Sequence, residues 1–151
     1  MPTDFVEVMQ IALNVARNAA ELGEVPVGAV VLDPDGNVIG VGANNREATG
    51  YPFGHAEMVA LAQAAEHLGS WRLDECTLIV TLEPCTMCAG AAVQSRIGRI
   101  VFGAFDEKAG AVGSLWDVVR DRRLPHRPEV ISGVLADECA KVLSDFFANN
   151  R

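Results

Sequence analysis

The sequence predicts an α/β protein, a five-stranded sheet covered by helices on both of its faces. Runs of β-branched residues alternate along the chain with segments whose apolar residues recur at helical spacing. Half of the residues are hydrophobic, which supplies a core, and 151 residues fit one domain over 1–151. No linker, repeat or low-complexity segment interrupts this alternation.

The first half of the chain is predicted to hold a helix, a hairpin and a second helix. Apolar residues from Phe5 to Ala16 recur at helical spacing, and Gly23 follows where such a helix would stop. An Asp-Pro-Asp-Gly-Asn turn separates two β-branched runs, which indicates a hairpin. A stretch without helical or strand periodicity, which contains two glycines and a proline, indicates a loop before an alanine-rich helix. The predicted bounds are 4–21 for the first helix, 25–43 for the hairpin, 44–54 for the loop and 55–68 for the second helix.

The second half alternates strands with helices. An apolar run at 77–82 predicts a buried strand. Pro84 is predicted to open the next helix, because the first amide of a helix has no partner there in any case. The remaining predicted elements are the end of that helix near Ser95, strands at 99–102 and 129–134, a short helix near 115–120 and a closing helix at 137–147.

The charge of the chain is unevenly distributed. Twelve basic and twenty acidic residues give a net charge of −8, which disfavours a nucleic-acid partner. The window 96–127 is the exception, with seven basic residues, four acidic residues and a net charge of +3. A solvated surface is one interpretation of this window, and contact with RNA is the other. The candidate RNA contacts are Arg96, Arg122, Arg123 and Arg127.

The cysteines and the hydropathy pattern predict a cytoplasmic protein. Four unevenly spaced cysteines do not suggest a disulfide framework, and in a reducing compartment a close pair suggests a metal instead. No signal-peptide pattern is visible, and no apolar run approaches the ~20 residues that span a bilayer. We therefore expect no membrane partner.

Two motifs predict one zinc site per subunit. His55 is followed at the second position by Glu57, and Pro84 is followed by Cys85 and Cys88. Cysteines three apart share a helix face, so both sulfurs can reach one ion. A C-x-x-C pair also occurs in redox proteins, but here a histidine completes a three-ligand set. A catalytic zinc keeps its fourth position for water, whereas a structural zinc is closed by four protein ligands.

Glu57 is predicted to move protons instead of binding the metal. Two helix positions that are two residues apart diverge by about 200°, so His55 and Glu57 cannot both face one ion from a regular helix. Zinc lowers the pKa of bound water to about 7, which supplies a nucleophile for a ring carbon that bears an amino group. Ammonia leaves only when protonated, so a nearby carboxylate must carry the proton.

These motifs resemble those of a known family. The pattern H-x-E…P-C-x-x-C is the established signature of zinc nucleobase deaminases. A closer resemblance, covering nearly the whole chain, is to the bacterial tRNA adenosine deaminases. The stretches that carry it are E-V-P-V-G-A-V at 24–30, T-L-E-P-C-T-M-C-A-G-A at 81–91, S-R-I at 95–97, V-F-G-A at 101–104, G-A-V-G-S-L at 110–115, H-R-P-E-V at 126–130 and L-A-D-E-C at 135–139.

The resemblance implies a fold, a reaction and further site residues. It implies the three-layer α/β/α cytidine-deaminase fold and a homodimer that converts adenosine to inosine at the wobble position of a tRNA anticodon. By matching positions, Asn44 would hydrogen-bond the flipped base, and Val27 and Ala29 would line its pocket. Asp106 would contact the neighbouring nucleotide in the anticodon stem-loop.

This chain departs from the family before the histidine. Residues 51–54 are Tyr-Pro-Phe-Gly where the family usually has Asp-Pro-Thr-Ala, and Phe105 replaces a commonly basic residue. The aromatic side chains could stack on loop bases, at ~1–3 kcal/mol per base, or narrow the pocket for a small substrate. The alternative function is thus deamination of a free nucleobase or nucleoside such as guanine or cytosine. A non-catalytic zinc module, closed by a fourth protein ligand, is a third possibility.

Overall fold

The computed structural model describes residues 5–150, which are organised around one mixed five-stranded sheet. The strands are β1 (Gly28–Leu32), β2 (Val38–Ala43), β3 (Thr77–Leu82), β4 (Arg99–Ala104) and β5 (Glu129–Ile131). Their order in space is β2-β1-β3-β4-β5. β1 is antiparallel to both of its neighbours, while β3, β4 and β5 run parallel. The predicted α/β class and the five strands are confirmed.

Four long helices cover the sheet and complete the three predicted layers. The helices are α1 (Val6–Glu21), α2 (Arg46–Thr49), α3 (Ala56–Leu68), α4 (Thr86–Gln94) and α5 (Ala136–Asn149). On one face α1 packs on β1 and β3 beside α5, which packs on β4. On the other face α3 packs on β1 and β2 and contacts α4. The remaining helix, α2, is a single turn at one edge.

Side chains along the central strands point alternately to the two faces of the sheet, so each face has its own apolar core. Val30, Ile79 and Val101 belong to the cluster beneath α1 and α5. Leu78 and Phe102 belong to the cluster beneath α3 and α4. A strand covered on both faces is apolar at nearly every position, which explains why 77–82 reads as a continuous hydrophobic run.

Glycines in β2 bring α3 directly onto the sheet backbone. A Cβ added at Gly42 would lie 2.2 Å from the carbonyl oxygen of Ala56, and one at Gly40 would lie 2.3 Å from that of Ala60. Real Cβ atoms do not approach backbone oxygen this closely, so only glycine allows this helix position. The contact at Ala56 fixes the first turn of α3, which follows His55.

The predicted loop at 44–54 contains a helical turn, α2, that the sequence analysis missed. The buried Glu24 carboxylate accepts hydrogen bonds from the backbone amides of Glu47, at 3.1 Å, and Ala48, at 2.7 Å. These amides lie in the first turn of α2, where helix amides lack internal partners. The capping group is more than twenty residues away, so local sequence patterns do not reveal it.

The predicted short helix near 115–120 is absent. An isolated bridge joins Val112 to Asp117, and Arg120 donates hydrogen bonds to the Asp117 carboxylate, at 2.8 Å, and to the Val112 carbonyl, at 3.0 Å. These contacts hold the segment as an irregular loop. The structure also ends the predicted strand at 129–134 after Ile131, and it begins the helix predicted at Pro84 at Thr86.

Within residues 5–150, every helix is too short or too polar to cross a membrane.

The glycine contact between β2 and α3 predicts a large stability loss on substitution. Gly42→Ala forces α3 away from the sheet, and we expect the free energy of unfolding to fall by about 1–3 kcal/mol. Gly90→Ala is the matched control, because Gly90 lies within α4 and its added Cβ would have no atom within 4 Å apart from the backbone of α4 itself and its chain neighbours. That change should raise stability by about 0.5–1 kcal/mol through helix propensity. Urea unfolding measures the stability of both variants. Equal stability changes in Gly42→Ala and Gly90→Ala would contradict the close contact between β2 and α3.

Candidate active site

Topology brings distant parts of the chain to one edge of the sheet. The parallel strands β3 and β4 end together at this edge. Because β1 is antiparallel to β3, and β2 to β1, β1 begins and β2 ends at the same edge. The carboxyl ends of strands in α/β sheets are common places for ligand sites. The residues that follow β2, β3 and β4 therefore meet in one place.

Three candidate metal ligands converge between two helix N-termini. His55 and Cys85 are the N-cap residues of α3 and α4, both with extended backbones, and Cys88 lies in the first turn of α4. The His55 Nδ1 atom lies 3.5 Å from the Sγ atom of each cysteine. A tetrahedral zinc with Zn–S and Zn–N bonds of about 2.3 and 2.0–2.1 Å requires N-to-S separations of about 3.6 Å. The three side chains thus fit a tetrahedral zinc ion.

The ligand set has three members. Within residues 5–150, the only groups of His, Cys, Asp and Glu atoms close enough to share an ion are His55, Cys85 and Cys88. Glu57 is outside this set, although it is two residues from His55. Three protein ligands leave one position for water, which is the arrangement of a catalytic zinc site. The alternative of a closed structural module lacks its fourth ligand.

The two thiols differ in acidity. The Cys88 thiol and, more weakly, His55 form hydrogen bonds with Cys85 that lower the Cys85 pKa to about 3, although burial opposes this shift. The same Cys85 contact and burial raise the pKa of Cys88. The lowered pKa favours the thiolate form of Cys85, and thiolate is the form that binds a metal.

Glu57 lies buried in the first turn of α3. Its residue is 4% exposed, and burial raises its pKa to about 7. A carboxyl group with such a pKa both accepts and releases protons near neutral pH. That property suits a general acid–base group.

A cavity of about 200 Å³ opens beside Glu57 and the ligands. It is below the roughly 300–1,000 Å³ typical of sites for drug-sized molecules, so it suits a small planar group. The lining residues are Val25, Val27, Asn44, Arg46, His55, Ala56, Glu57, Leu82, Glu83, Cys85, Asp106 and Ala109.

A family model for the zinc-binding region of cytidine and deoxycytidylate deaminases matches residues 3–104. The chain belongs to this deaminase family. A tRNA-specific adenosine deaminase of Haemophilus influenzae is 50% identical over 145 residues, which cover 96% of this chain and 84% of that protein. Together with the site geometry, the family match identifies zinc as the cofactor.

Solved structures of deaminases share the fold. One, from studies of A-to-I editing by tRNA:A34 deaminases at the wobble position of transfer RNA, has a TM-score of 0.86 and 43% identity, covering 89% of this chain and 97% of that chain. A guanine deaminase from Bacillus subtilis is more distant, with a TM-score of 0.67 and 32% identity over 74% of this chain and 71% of that chain. These findings confirm the cytidine-deaminase fold that the sequence predicts.

Asn44 of this deaminase lines the cavity. Its Oδ1 atom accepts a hydrogen bond from the backbone amide of Arg46 at 3.1 Å. Because the oxygen is used in this way, the amide nitrogen is left to face a ligand. An acceptor atom on a bound ring would satisfy it.

Ala29, predicted to line the pocket, lies outside the lining of the cavity in this structure. Ala29 is fully buried and packs in the core with Val31 and Ala60, while Val27 reaches the cavity wall. Val27, directly before β1, and Ala29, within β1, belong to the same core cluster, but Ala29 lies deeper beneath α3.

Sequence reasoning missed two residues at this site. Arg46 places its Nη1 atom 3.1 Å from His55 Nε2. Glu83 lines the cavity and is 2% exposed. Burial raises the Glu83 pKa, but hydrogen bonds from the Ser114 hydroxyl and from backbone amides outweigh this and lower it overall. The position of Glu83 in the T-L-E-P-C motif was the available signal.

The four arginines suggested as RNA contacts do not gather around the cavity. Arg96 lines a separate cavity with Arg99 and His126, where β4 begins. His126 contacts the Ile97 carbonyl, which places the adjacent Arg127 near the same opposite edge. Arg122 and Arg123 lie exposed in the connecting loop, and Arg123 pairs with Asp121 at 2.6 Å.

The ligand geometry predicts that Cys88→Ala abolishes zinc binding. Zinc bound only to the folded state adds about 2.7 kcal/mol of stability when free zinc is 100 times its Kd, and the variant should lose this contribution. Elemental analysis and zinc-dependent thermal unfolding measure the two effects. Cys76→Ala is the control, since Cys76 is buried outside the ligand set and should keep about one zinc per chain. Full zinc content in Cys88→Ala would exclude this ligand set.

Proposed function

We propose that this deaminase hydrolyses adenosine to inosine at the wobble position of a tRNA anticodon. The observation that carries the proposal is a cavity of base size at a three-ligand zinc site, in a chain 50% identical to a tRNA-specific adenosine deaminase. The anticodon stem-loop is the proposed substrate. We also propose, on the resemblance alone, a cytoplasmic homodimer.

The cavity walls suit an extruded nucleobase. Val25, Val27 and Leu82 provide apolar surface for the faces of the ring. The Asn44 amide nitrogen then donates a hydrogen bond to an acceptor atom of the ring, such as the N7 atom of a purine. Enzymes that modify a base take it out of the stack into such a pocket.

Glu57 carries the protons of the reaction. A zinc ion held by His55, Cys85 and Cys88 would supply an activated water, because metal binding lowers the pKa of water to about 7. Glu57 accepts the proton that the water loses on attacking the carbon that bears the amine. It delivers this proton to the adjacent ring nitrogen, and a second transfer lets the amine leave as ammonia. Water and adenosine are thus converted to inosine and ammonia.

Residues around the cavity mouth are proposed to bind the rest of the nucleotide chain. The Asp106 Oδ1 atom is used within its own loop, accepting from the amides of Lys108 and Ala109 at 3.0 and 3.2 Å. Its second oxygen is placed to accept from a ribose hydroxyl of the neighbouring nucleotide. Tyr51 and Phe53, 55% and 48% exposed, offer aromatic faces for unpaired bases.

A comparison of substrates tests the proposed reaction. Purified protein should convert adenosine to inosine in an anticodon stem-loop RNA, as measured by mass spectrometry of the digested RNA. Guanine, cytosine and free nucleosides should react far more slowly. Glu57→Gln is the control: it should keep zinc and lose about 10²–10⁴-fold in turnover. Rapid deamination of guanine with no editing of the stem-loop would favour the guanine deaminase alternative, which the Bacillus subtilis relative supports.

The dispersed arginines predict unequal effects on RNA binding. Each phosphate contact with a single strand adds about 0.7 to the slope of log K against log salt concentration. Arg122→Gln should therefore flatten the slope by about 0.7, because this arginine is exposed. Arg96→Gln, at the opposite edge, should have a smaller effect, and Arg72→Gln, paired with Asp74, is the control. Parent-like slopes for the Arg122 and Arg123 variants would exclude these residues as contacts.

A further inference from the structure

Glu83 is a buried carboxylate that neither binds the metal nor transfers protons in the proposed reaction. It follows β3 and precedes the Pro84–Cys85 peptide. Its side chain does not join the metal ligands. It reaches instead across to the loop at 105–116, which follows β4 and carries Asp106.

Both carboxylate oxygens of Glu83 accept hydrogen bonds from this loop. The Oε1 atom accepts from the Asp106 amide at 3.0 Å and from the Ser114 hydroxyl. The Oε2 atom accepts from the amides of Val112, at 2.9 Å, and Ser114, at 3.0 Å. One side chain therefore binds the start and the end of the loop.

Gly110 shows how closely the loop encloses this carboxylate. A Cβ built at Gly110 would lie 2.4 Å from both the Cδ and the Oε1 atoms of Glu83. Its φ lies outside the left-handed region, so backbone conformation does not require glycine at this position. The need for glycine here comes from the contact with Glu83 and from the Asp106 carbonyl oxygen, which would lie 2.5 Å from the added Cβ.

The loop is joined to the peptide that carries a metal ligand. The Ala111 amide donates to the Pro84 carbonyl at 2.8 Å, and the Glu83 amide donates to the Ala104 carbonyl at 2.8 Å. Cys85 follows directly. The positions of Asp106 and Cys85 are thereby fixed relative to each other through two neighbouring residues.

We propose that Glu83 is a positioning residue that sets the loop at 105–116, and with it Asp106, against the mouth of the cavity. The substrate part of this inference rests on the proposed function, since Asp106 is the proposed contact for a neighbouring nucleotide. Loss of the Glu83 contacts should weaken binding of the RNA while leaving the metal and Glu57 in place. The role differs from catalysis because Glu83 acts through the loop.

Glu83→Gln tests the proposal with little change in shape. The amide nitrogen of glutamine replaces one acceptor oxygen and cannot accept from a backbone N–H, while the remaining oxygen still can. We expect the KM for stem-loop RNA to rise about tenfold, as for one lost charge-assisted hydrogen bond, with kcat within about twofold of the parent. Zinc content should be unchanged. Hydrogen–deuterium exchange should quicken in the peptide covering 105–116.

Gly110→Ala and Glu129→Gln complete the design. Gly110→Ala disturbs the same contact from the loop side and should reproduce the KM rise and the faster exchange, even if Glu83→Gln folds poorly. Glu129→Gln, in an exposed ion pair with Arg99, should behave like the parent. A fall in kcat with unchanged KM, or unchanged exchange in both test variants, would overturn the proposal. If the parent edits no RNA, the proposed function fails, while the exchange data still decide whether Glu83 anchors the loop.

Discussion

The structure depends on bringing two helix starts to one point at the edge of the sheet. His55 and Cys85 are N-caps of different helices. The His55 Nδ1 atom nevertheless lies 3.5 Å from the sulfur of Cys85 and 3.5 Å from that of Cys88. For α3, the missing Cβ at Gly42 permits backbone contact with Ala56 and so places the first turn. For α4, the short connection from the buried strand β3 does the same. Packing of the core therefore sets the metal geometry before any ligand binds.

Two buried glutamates beside this point illustrate how environment assigns a role to one kind of side chain. For Glu57, desolvation is the dominant influence, and its pKa rises to about 7, which suits proton transfer. For Glu83, a hydroxyl and three backbone amides supply hydrogen bonds to the charged form, and its pKa falls despite burial. A carboxylate that keeps its charge can hold a loop in place, while one that readily changes protonation can serve chemistry.

Sequence patterns predicted what depends on local chemistry. The apolar run at 77–82, the helix after His55 and the spacing of Cys85 and Cys88 each carry their own signal, and the structure has these elements where they were predicted. The single turn α2 depends on Glu24 from another part of the chain. The irregular segment after Val112 depends on the reach of Arg120. Periodicity cannot report such contacts, and the role of Glu83 was hidden for the same reason.

The small volume of the cavity indicates which part of the protein distinguishes a polynucleotide from a free base. With about 200 Å³, it holds a base and excludes most of a nucleotide chain. Whatever distinguishes a polynucleotide from a free base must then lie outside the cavity, on the segments that rim it. These are the α2 segment, with the exposed Tyr51 and Phe53 beyond it, and the loop that carries Asp106. Each is tied to the body of the protein by a buried glutamate, Glu24 for the first and Glu83 for the second. Since binding to a preorganised surface costs less ordering entropy than binding to a mobile one, we expect these carboxylates to favour a long substrate over a small one.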